Sequence, residues 1–287
     1  MSRPRISAPI QKRARLHFLL TGLSCLAVAL SISCSRKVSS QPDLSTASIV
    51  LKRTACYGTC PVYTVTLHGN RLIEYVGEKN VDIPGPRSKV VSSEGLRDVI
   101  RMSDDIRFWS LKDSYYEGCT DQPTAIITIS FKGKSKEISN NFGGCLRQTA
   151  GPQVDLAKLA QEIDRASGAE EWIHCDNACL KKLIQSGLDV NVGAPDGTSL
   201  LILAVGGRDP ERVGLLLDAG ANVNVLDPHF GTTSLMNATI ENNVDIVREL
   251  LAHGANVNAR EKKRGFTALQ MAGGKEVRKL LIEAKHN

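Results

Sequence analysis

An internal period of 34 residues constrains this chain more than any other feature. Gly197-Thr198-Ser199-Leu200-Leu201-Ile202-Leu203-Ala204, Gly231-Thr232-Thr233-Ser234-Leu235-Met236-Asn237-Ala238 and Gly265-Phe266-Thr267-Ala268-Leu269-Gln270-Met271-Ala272 begin 34 residues apart. A second phase agrees with the first. Leu183-Ile184, Leu216-Leu217, Leu250-Leu251 and Leu280-Leu281 recur, and Gly187, Gly220 and Gly254 follow the first three pairs. After each glycine comes Leu188-Asp189-Val190-Asn191, Ala221-Asn222-Val223-Asn224 or Ala255-Asn256-Val257-Asn258. Each unit reads as turn, helix, helix and a glycine stop, with Gly free to take the left-handed cap conformation. So short a unit cannot bury its apolar face alone and must stack on its neighbours. The pattern predicts an all-α solenoid over 169–287, with two full units between two partial capping ones.

This pattern resembles the ankyrin repeat, whose period is about 33 residues. The family's Thr-Pro-Leu-His start is here Ser199-Leu200-Leu201-Ile202, Thr233-Ser234-Leu235-Met236 and Thr267-Ala268-Leu269-Gln270. Without that Pro and His, the consensus bonds between repeats are not expected, and the stack should be only modestly stable. The resemblance implies protein binding through hairpin tips and the concave helix face. Carried over residue by residue, that surface is Pro195, Asp196 and Thr198, then His229, Phe230, Thr232, Ile240 and Glu241, then Lys263, Arg264 and Phe266. Exposed Phe beside Arg is hot-spot composition; the alternative is that Phe230 and Phe266 cover a gap between repeats. Arg260, Lys262, Lys263 and Arg264 make the last tip basic.

Residues 48–167 read differently, as a small α+β domain. Ser48 to Arg53 and Pro61 to His68 are rich in β-branched and aromatic residues, and Gly69-Asn70 turns the chain into a hairpin with Leu72 to Val76. A second hairpin runs from Thr124 to Phe131 and Ser135 to Ser139. Ser92-Ser93 is placed to cap a helix carrying Leu96, Val99 and Ile100, and Leu156, Leu159, Ala160 and Ile163 mark a closing helix. Asp104, Asp105 and Asp113 read as loop residues. The box Cys56-Tyr57-Gly58-Thr59-Cys60-Pro61-Val62-Tyr63 and the turn Thr120-Asp121-Gln122-Pro123 resemble an uncharacterised bacterial family, domain of unknown function 6438. That likeness implies export but no activity. The predicted fold class is thus an α+β N-terminal domain followed by an all-α ankyrin-repeat solenoid.

Charge and cysteines speak to location. The 36 basic residues fall to 31, against 30 acidic, once Arg3, Arg5, Lys12, Arg13 and Arg15 are set aside. The folded part therefore lacks the basic footprint of a nucleic-acid binder. Those five precede the apolar run Leu16 to Ser33, as in an export signal over 1–34. Ser33-Cys34 resembles a lipobox, which makes Cys34 the lipidation candidate and the only membrane anchor; ordinary cleavage near Ser33 and an uncleaved anchor are the alternatives. Polar residues 35–47 read as a flexible tether. The expected location is exported, periplasmic or cell-envelope.

Six further cysteines, Cys56, Cys60, Cys119, Cys145, Cys175 and Cys179, read as a disulfide framework in an oxidising compartment, with connectivity open. Catalytic Cys-x-x-Cys chemistry needs a two-residue gap at a helix N-terminus. Cys56 and Cys60 have three residues between them and lead into a strand, so a structural pairing is favoured. An envelope thiol-disulfide oxidoreductase using them is the alternative function. His174, Cys175 and Cys179 lack a fourth zinc ligand. Neither a Gly-x-Ser-x-Gly, a Walker loop nor a His-Glu-x-x-His occurs. The expectation is a non-catalytic, cofactor-free, metal-free scaffold that binds another envelope protein.

Overall fold

In the computed structural model, which describes residues 43–116, 123–141 and 151–286, the N-terminal part is one seven-stranded sheet covered by two helices. Its strands are β1 (Ser48–Arg53), β2 (Val62–His68), β3 (Leu72–Lys79), β4 (Gly85–Val90), β5 (Ser114–Tyr115), β6 (Thr124–Phe131) and β7 (Lys134–Asn141). They lie in the order β4-β3-β2-β1-β6-β7-β5, and every pairing is antiparallel except that of β5 with β7. Alternation in sequence sets the register, because side chains two apart share a face. Ile49 stands opposite Leu67 and Ile129, and Leu51 opposite Val65 and Ile127, all fully buried. Helices α1 (Ser93–Asp105) and α2 (Pro152–Ser167) complete that core with Leu96, Val99 and Ile100, and with Leu156, Leu159, Ala160 and Ile163.

A buried ionic group ties α2 to the sheet. Asp164 accepts a 2.6 Å bond from Arg53 Nη2 and a 2.7 Å bond from Tyr63 Oη. Burial pushes the Asp164 carboxyl above its ordinary range, against the pull of Arg53 and Tyr63. Such a group stays ionised inside a protein only because its partners are in place.

Three details depart from the sequence reading. The fold starts before Ser48: Leu44 and Ala47, assigned to the tether, are buried, and Gly69 N donates to the Ala47 carbonyl at 2.7 Å. Two apolar residues among Ser and Thr carry no periodicity, so only the tertiary contact reveals them. Asp104 and Asp105 lie in the last turn of α1 rather than in a loop. Strand β4, with Pro86 and two basic residues, has no strand-like pattern, yet it pairs along β3 from Val90 to Gly85.

The C-terminal half is a helical stack. It comprises α3 (Glu170–Ile173), α4 (Asn177–Gln185), α5 (Leu200–Gly206), α6 (Pro210–Asp218), α7 (Ser234–Ile240), α8 (Val244–Ala252), α9 (Ala268–Met271) and α10 (Lys275–His286). Ser199, Asp209, Thr233 and Asn243 accept from the backbone N–H three residues on and so cap α5 to α8. At the places of the family histidine, Met236 Sδ accepts from Thr233 N at 3.4 Å and Gln270 Oε1 from Thr267 N at 2.9 Å, which returns the cap reciprocally. Bonds between units come from the Asn-x-Asn segments. Asn191 Oδ1 accepts from Asn222 N at 2.9 Å, and Asn224 Oδ1 accepts from Asn256 N at 2.8 Å. The expected lack of consensus bonds is therefore met by an asparagine ladder on the other side of the repeat.

Both halves belong to one compact unit, and β3, β4 and the turn between them supply the hydrogen bonds of the joint. Trp172, at the open end of the stack, lies 5.0 Å from the Tyr75 ring, with Lys89 Nζ 4.5 Å from its centroid. Asp82 N and Ile83 N donate to the carbonyls of Ile173 and Trp172, while the Asp82 carboxylate accepts from Cys175 N at 2.6 Å. Arg212 of α6 donates to the carbonyls of Cys175 and Asp82 at 2.8 and 3.1 Å. Gly85 has φ +82, and a Cβ there would lie 2.0 Å from the Gly193 carbonyl oxygen, so only glycine allows this approach. An edge hairpin serves as the cover for Trp172 because it brings both an aromatic face and backbone groups free to bond.

Trp172→Ala should therefore cost about 3–5 kcal/mol, read as a lower urea midpoint for the whole chain. The excised segment 169–287 is expected to melt below the full protein; equal midpoints would mean the joint contributes nothing.

Candidate functional site

Three hairpin tips project from the stack, each closed by one backbone bond. Ala194 N donates to Thr198 O at 2.8 Å, Asp227 N to Thr232 O at 2.8 Å and Glu261 N to Phe266 O at 3.0 Å. Carboxylates hold the last two tips from inside. Asp227 Oδ1 accepts from His229 N at 2.8 Å and Phe230 N at 3.1 Å, and Glu261 accepts from the backbone N–H groups of Lys263 and Arg264. Burial raises the Glu261 carboxyl, but those N–H groups outweigh it and hold the residue below its ordinary 4.5. Gly231, at φ +69, would bring a Cβ within 2.8 Å of Lys262 Cβ, so glycine lets neighbouring tips touch.

The tips are also linked outside. His229 Nε2 lies 3.2 Å from Asp196 Oδ2, and Lys263 Nζ stands 5.6 Å from the Phe230 centroid. Burial raises the Asp196 carboxyl, yet bonds from Thr198 and His229 bring it below the usual range. Phe230 is 60% exposed and Phe266 40% exposed, so neither fills a gap between repeats. Pro195, Asp196, His229, Ile240, Glu241, Lys263 and Arg264 are exposed as well. Thr198 and Thr232 do not belong with them. Both are buried, and the Thr232 hydroxyl donates to Asn237 Oδ1 at 2.6 Å, because the closing pair of each turn faces the stack.

The first tip and α5 border a cavity of about 820 Å³ that reaches the N-terminal domain. Asp196, Leu203 and Asp209 line it from the stack, Glu78, Val81 and Asp82 from the joint, and Thr59 from the β1–β2 loop. The sequence reading missed these joint residues, since nothing in a repeat pattern says what closes its open end. Leu203 carried one signal: it is an apolar inner-helix residue where the next unit has Asn237, and it is 42% exposed.

Disulfides join Cys56 to Cys60 and Cys175 to Cys179, with Cα atoms 5.7 and 5.2 Å apart. Cys119, Cys145 and Cys34 lie outside the described residues. Among the described residues no helix starts at Cys56 or Cys60, so the dipole that activates a redox thiol does not act on them. Cys175 and Cys179 flank Asp176, whose side chain accepts from Cys179 N at 2.8 Å to cap α4, and their sulfurs are spent on each other. Cys60, Pro61, Tyr63 and Pro123 instead meet Arg53 and Asp164 around a cavity of about 230 Å³, where the box shapes the sheet's end.

The lowered Glu261 carboxyl has a consequence for acid stability. Its unfolded form binds protons near 4.5 while the folded form does not, so its contribution is present above that pH and fades as pH falls through the folded value. Glu261→Gln is expected to flatten the urea-midpoint profile below pH 4.5 relative to wild type, and parallel profiles would remove Glu261 as the cause.

Comparison with known proteins places both halves. Residues 47–167 match the family described as domain of unknown function DUF6438, and residues 172–261 and 201–287 match ankyrin repeats. Zygote-specific protein 3 of Chlamydomonas reinhardtii is 36% identical over 141 residues, 48% of this chain and 34% of that protein. The B-cell lymphoma 3 protein homolog of Mus musculus is 35% identical over 120 residues, 39% of this chain and 27% of that one. The 2-5A-dependent ribonuclease of Mus musculus is 45% identical over 75 residues, 26% of this chain and 10% of that enzyme. The chain thus spans about a third or less of these relatives. Ankyrin repeats imply a protein-binding surface, and the chain is a DUF6438 domain followed by ankyrin repeats.

Proposed function

We propose that this is a non-catalytic scaffold of the cell envelope, tethered through Cys34, that binds another envelope protein with its ankyrin surface. One observation carries the reading: Phe230 stands 60% exposed on a tip braced from within by Asp227 and from beside by Lys263. A large apolar side chain held rigid in water costs solvation until a partner covers it, which is what makes such residues interface anchors. The basic neighbours Lys263 and Arg264 would steer an acidic surface towards it.

Capture from envelope extract tests this. A protein retained by wild type should be lost, by about tenfold or more, from Phe230→Ala combined with Phe266→Ala, with circular dichroism unchanged. Lys263→Glu with Arg264→Glu should weaken the same capture chiefly at low salt. Equal retention by all three proteins would move the binding site elsewhere. For the tether, labelling with a palmitate analogue should be abolished in Cys34→Ala; undiminished labelling would sink the lipid anchor and leave export standing.

A further inference from the structure

We infer that the N-terminal domain completes the binding groove, and that the completed end selects a cationic stretch of the partner. The inference rests on the ankyrin reading above and adds to it a second wall, a charge preference and an aromatic contact.

Three observations converge at the joint. The 820 Å³ cavity is continuous with the concave side of the stack through Asp196, Thr198, Leu203 and Gly207, and its far wall is the β3–β4 turn. A partner segment lying along the stack therefore meets that turn at its end. The lining charge is one-sided: Glu78, Asp82, Asp176, Asp196 and Asp209 stand against Lys79 and Arg212. Arg212 already directs its guanidinium at two backbone carbonyls. Asn177 adds an acceptor, since its Oδ1 is buried without a hydrogen-bond partner while its Nδ2 donates to Asp209 and Glu211. The floor beside these acceptors is apolar, from Leu203, Val81 and Pro84. A Lys or Arg side chain fits such a site, its stem on the floor and its head among the carboxylates.

Tyr57 is the third observation. It is 90% exposed on the loop closed by Cys56–Cys60, two residues from the cavity-lining Thr59. Asn80 Nδ2 donates to the Cys60 carbonyl at 3.0 Å and fastens that loop to the β3–β4 turn. An aromatic ring on a covalently closed, anchored loop is pre-organised for contact, because little freedom is left to lose on binding. Its ring also offers a face to a cation. The Cys-Tyr-Gly-x-Cys box then has a purpose beyond folding, which is to present Tyr57 beside the acidic end of the groove.

The probe is a fluorescein-labelled peptide of about ten residues alternating Lys and Leu, roughly 33 Å when extended, with a Glu/Leu counterpart, read by anisotropy on the full chain. Wild type is expected to prefer the Lys peptide by tenfold or more. Glu78→Lys, at a residue whose side chain makes no hydrogen bond or ion pair among the described residues, should reduce Lys-peptide affinity about tenfold at low salt, less at high salt. Tyr57→Ala should weaken it several-fold at either salt concentration. Cys56→Ser with Cys60→Ser, which frees the loop but keeps the ring, should reproduce most of the Tyr57→Ala loss. No preference between the peptides, or indifference to both Glu78→Lys and Tyr57→Ala, would overturn the inference. If capture of the envelope protein still depends on Phe230 and Phe266 in that event, the ankyrin reading survives alone. If it does not, both fall.

Discussion

The stack depends on the cover given to Trp172. A solenoid has no self-sufficient end: every unit buries one face on the next, and the first would leave its apolar edge in water. Here α3 is a single turn, too short to act as a cap by itself. The sheet supplies what it lacks, with the Tyr75 ring and the Lys89 ammonium both against the indole. The same contact answers a problem of the sheet, because β4 is an edge strand and edge strands invite unwanted pairing. Docking α3 and the first tip against that hairpin protects both elements at once. The joint is thus an exchange of exposed surfaces, and the asparagine ladder, tips and groove inherit their placement from it.

Along the stack, one kind of chemistry recurs. Short polar side chains satisfy backbone N–H groups: Asn191 and Asn224 between units, Asp227 and Glu261 within tips, Ser199 and Thr233 at helix starts. Each neutral bond contributes about 1 kcal/mol, so no single one governs the fold. Their repetition matters because nearest-neighbour terms add in a repeat array. This explains how the units hold together with Leu, Ser or Ala where the family has Pro, and with Ile, Met or Gln where it has His.

How much of this was legible in the sequence follows from the range of each interaction. Helices α5 to α8 were readable because glycine stops and Leu-Leu pairs are local signals repeated at a fixed spacing. Strands β1, β2, β6 and β7 were readable through alternation. What stayed hidden is long-range. Leu44 is apolar among polar neighbours, β4 carries Pro86, Arg87 and Lys89, and Asp82 sits in a loop. Each gains its role only from outside its own segment: Leu44 by burial in the core, β4 from β3, 8 to 18 positions back, and Asp82 from Ile173, Cys175 and Arg212, 91 to 130 positions on. Most of the tip residues are exposed, while Thr198 and Thr232 are buried, since the period gives position within a unit but not which side of a turn faces inward. Tyr57 lies between two cysteines whose spacing is itself a local signal, whereas the exposure of the ring between them is visible only in three dimensions.

The two disulfides among the described residues set the surroundings of that ring and of the joint. Each joins cysteines only four positions apart, and the entropy removed from an unfolded chain grows with loop length, so each contributes at the low end, about 2 kcal/mol. Stability is thus a poor account of why both are there. Their common property is place. Cys175 lines the cavity at the joint, and Thr59, inside the Cys56–Cys60 loop, lines it too. One bond closes the first turn of α4, where Asp82 takes the Cys175 N–H, and the other closes the loop that Asn80 fastens to the same β3–β4 turn. A short covalent ring restricts local geometry far more than it restricts a whole chain. Two such rings beside one cavity restrict the backbone along its lining, and local rigidity of that kind favours pre-organised recognition.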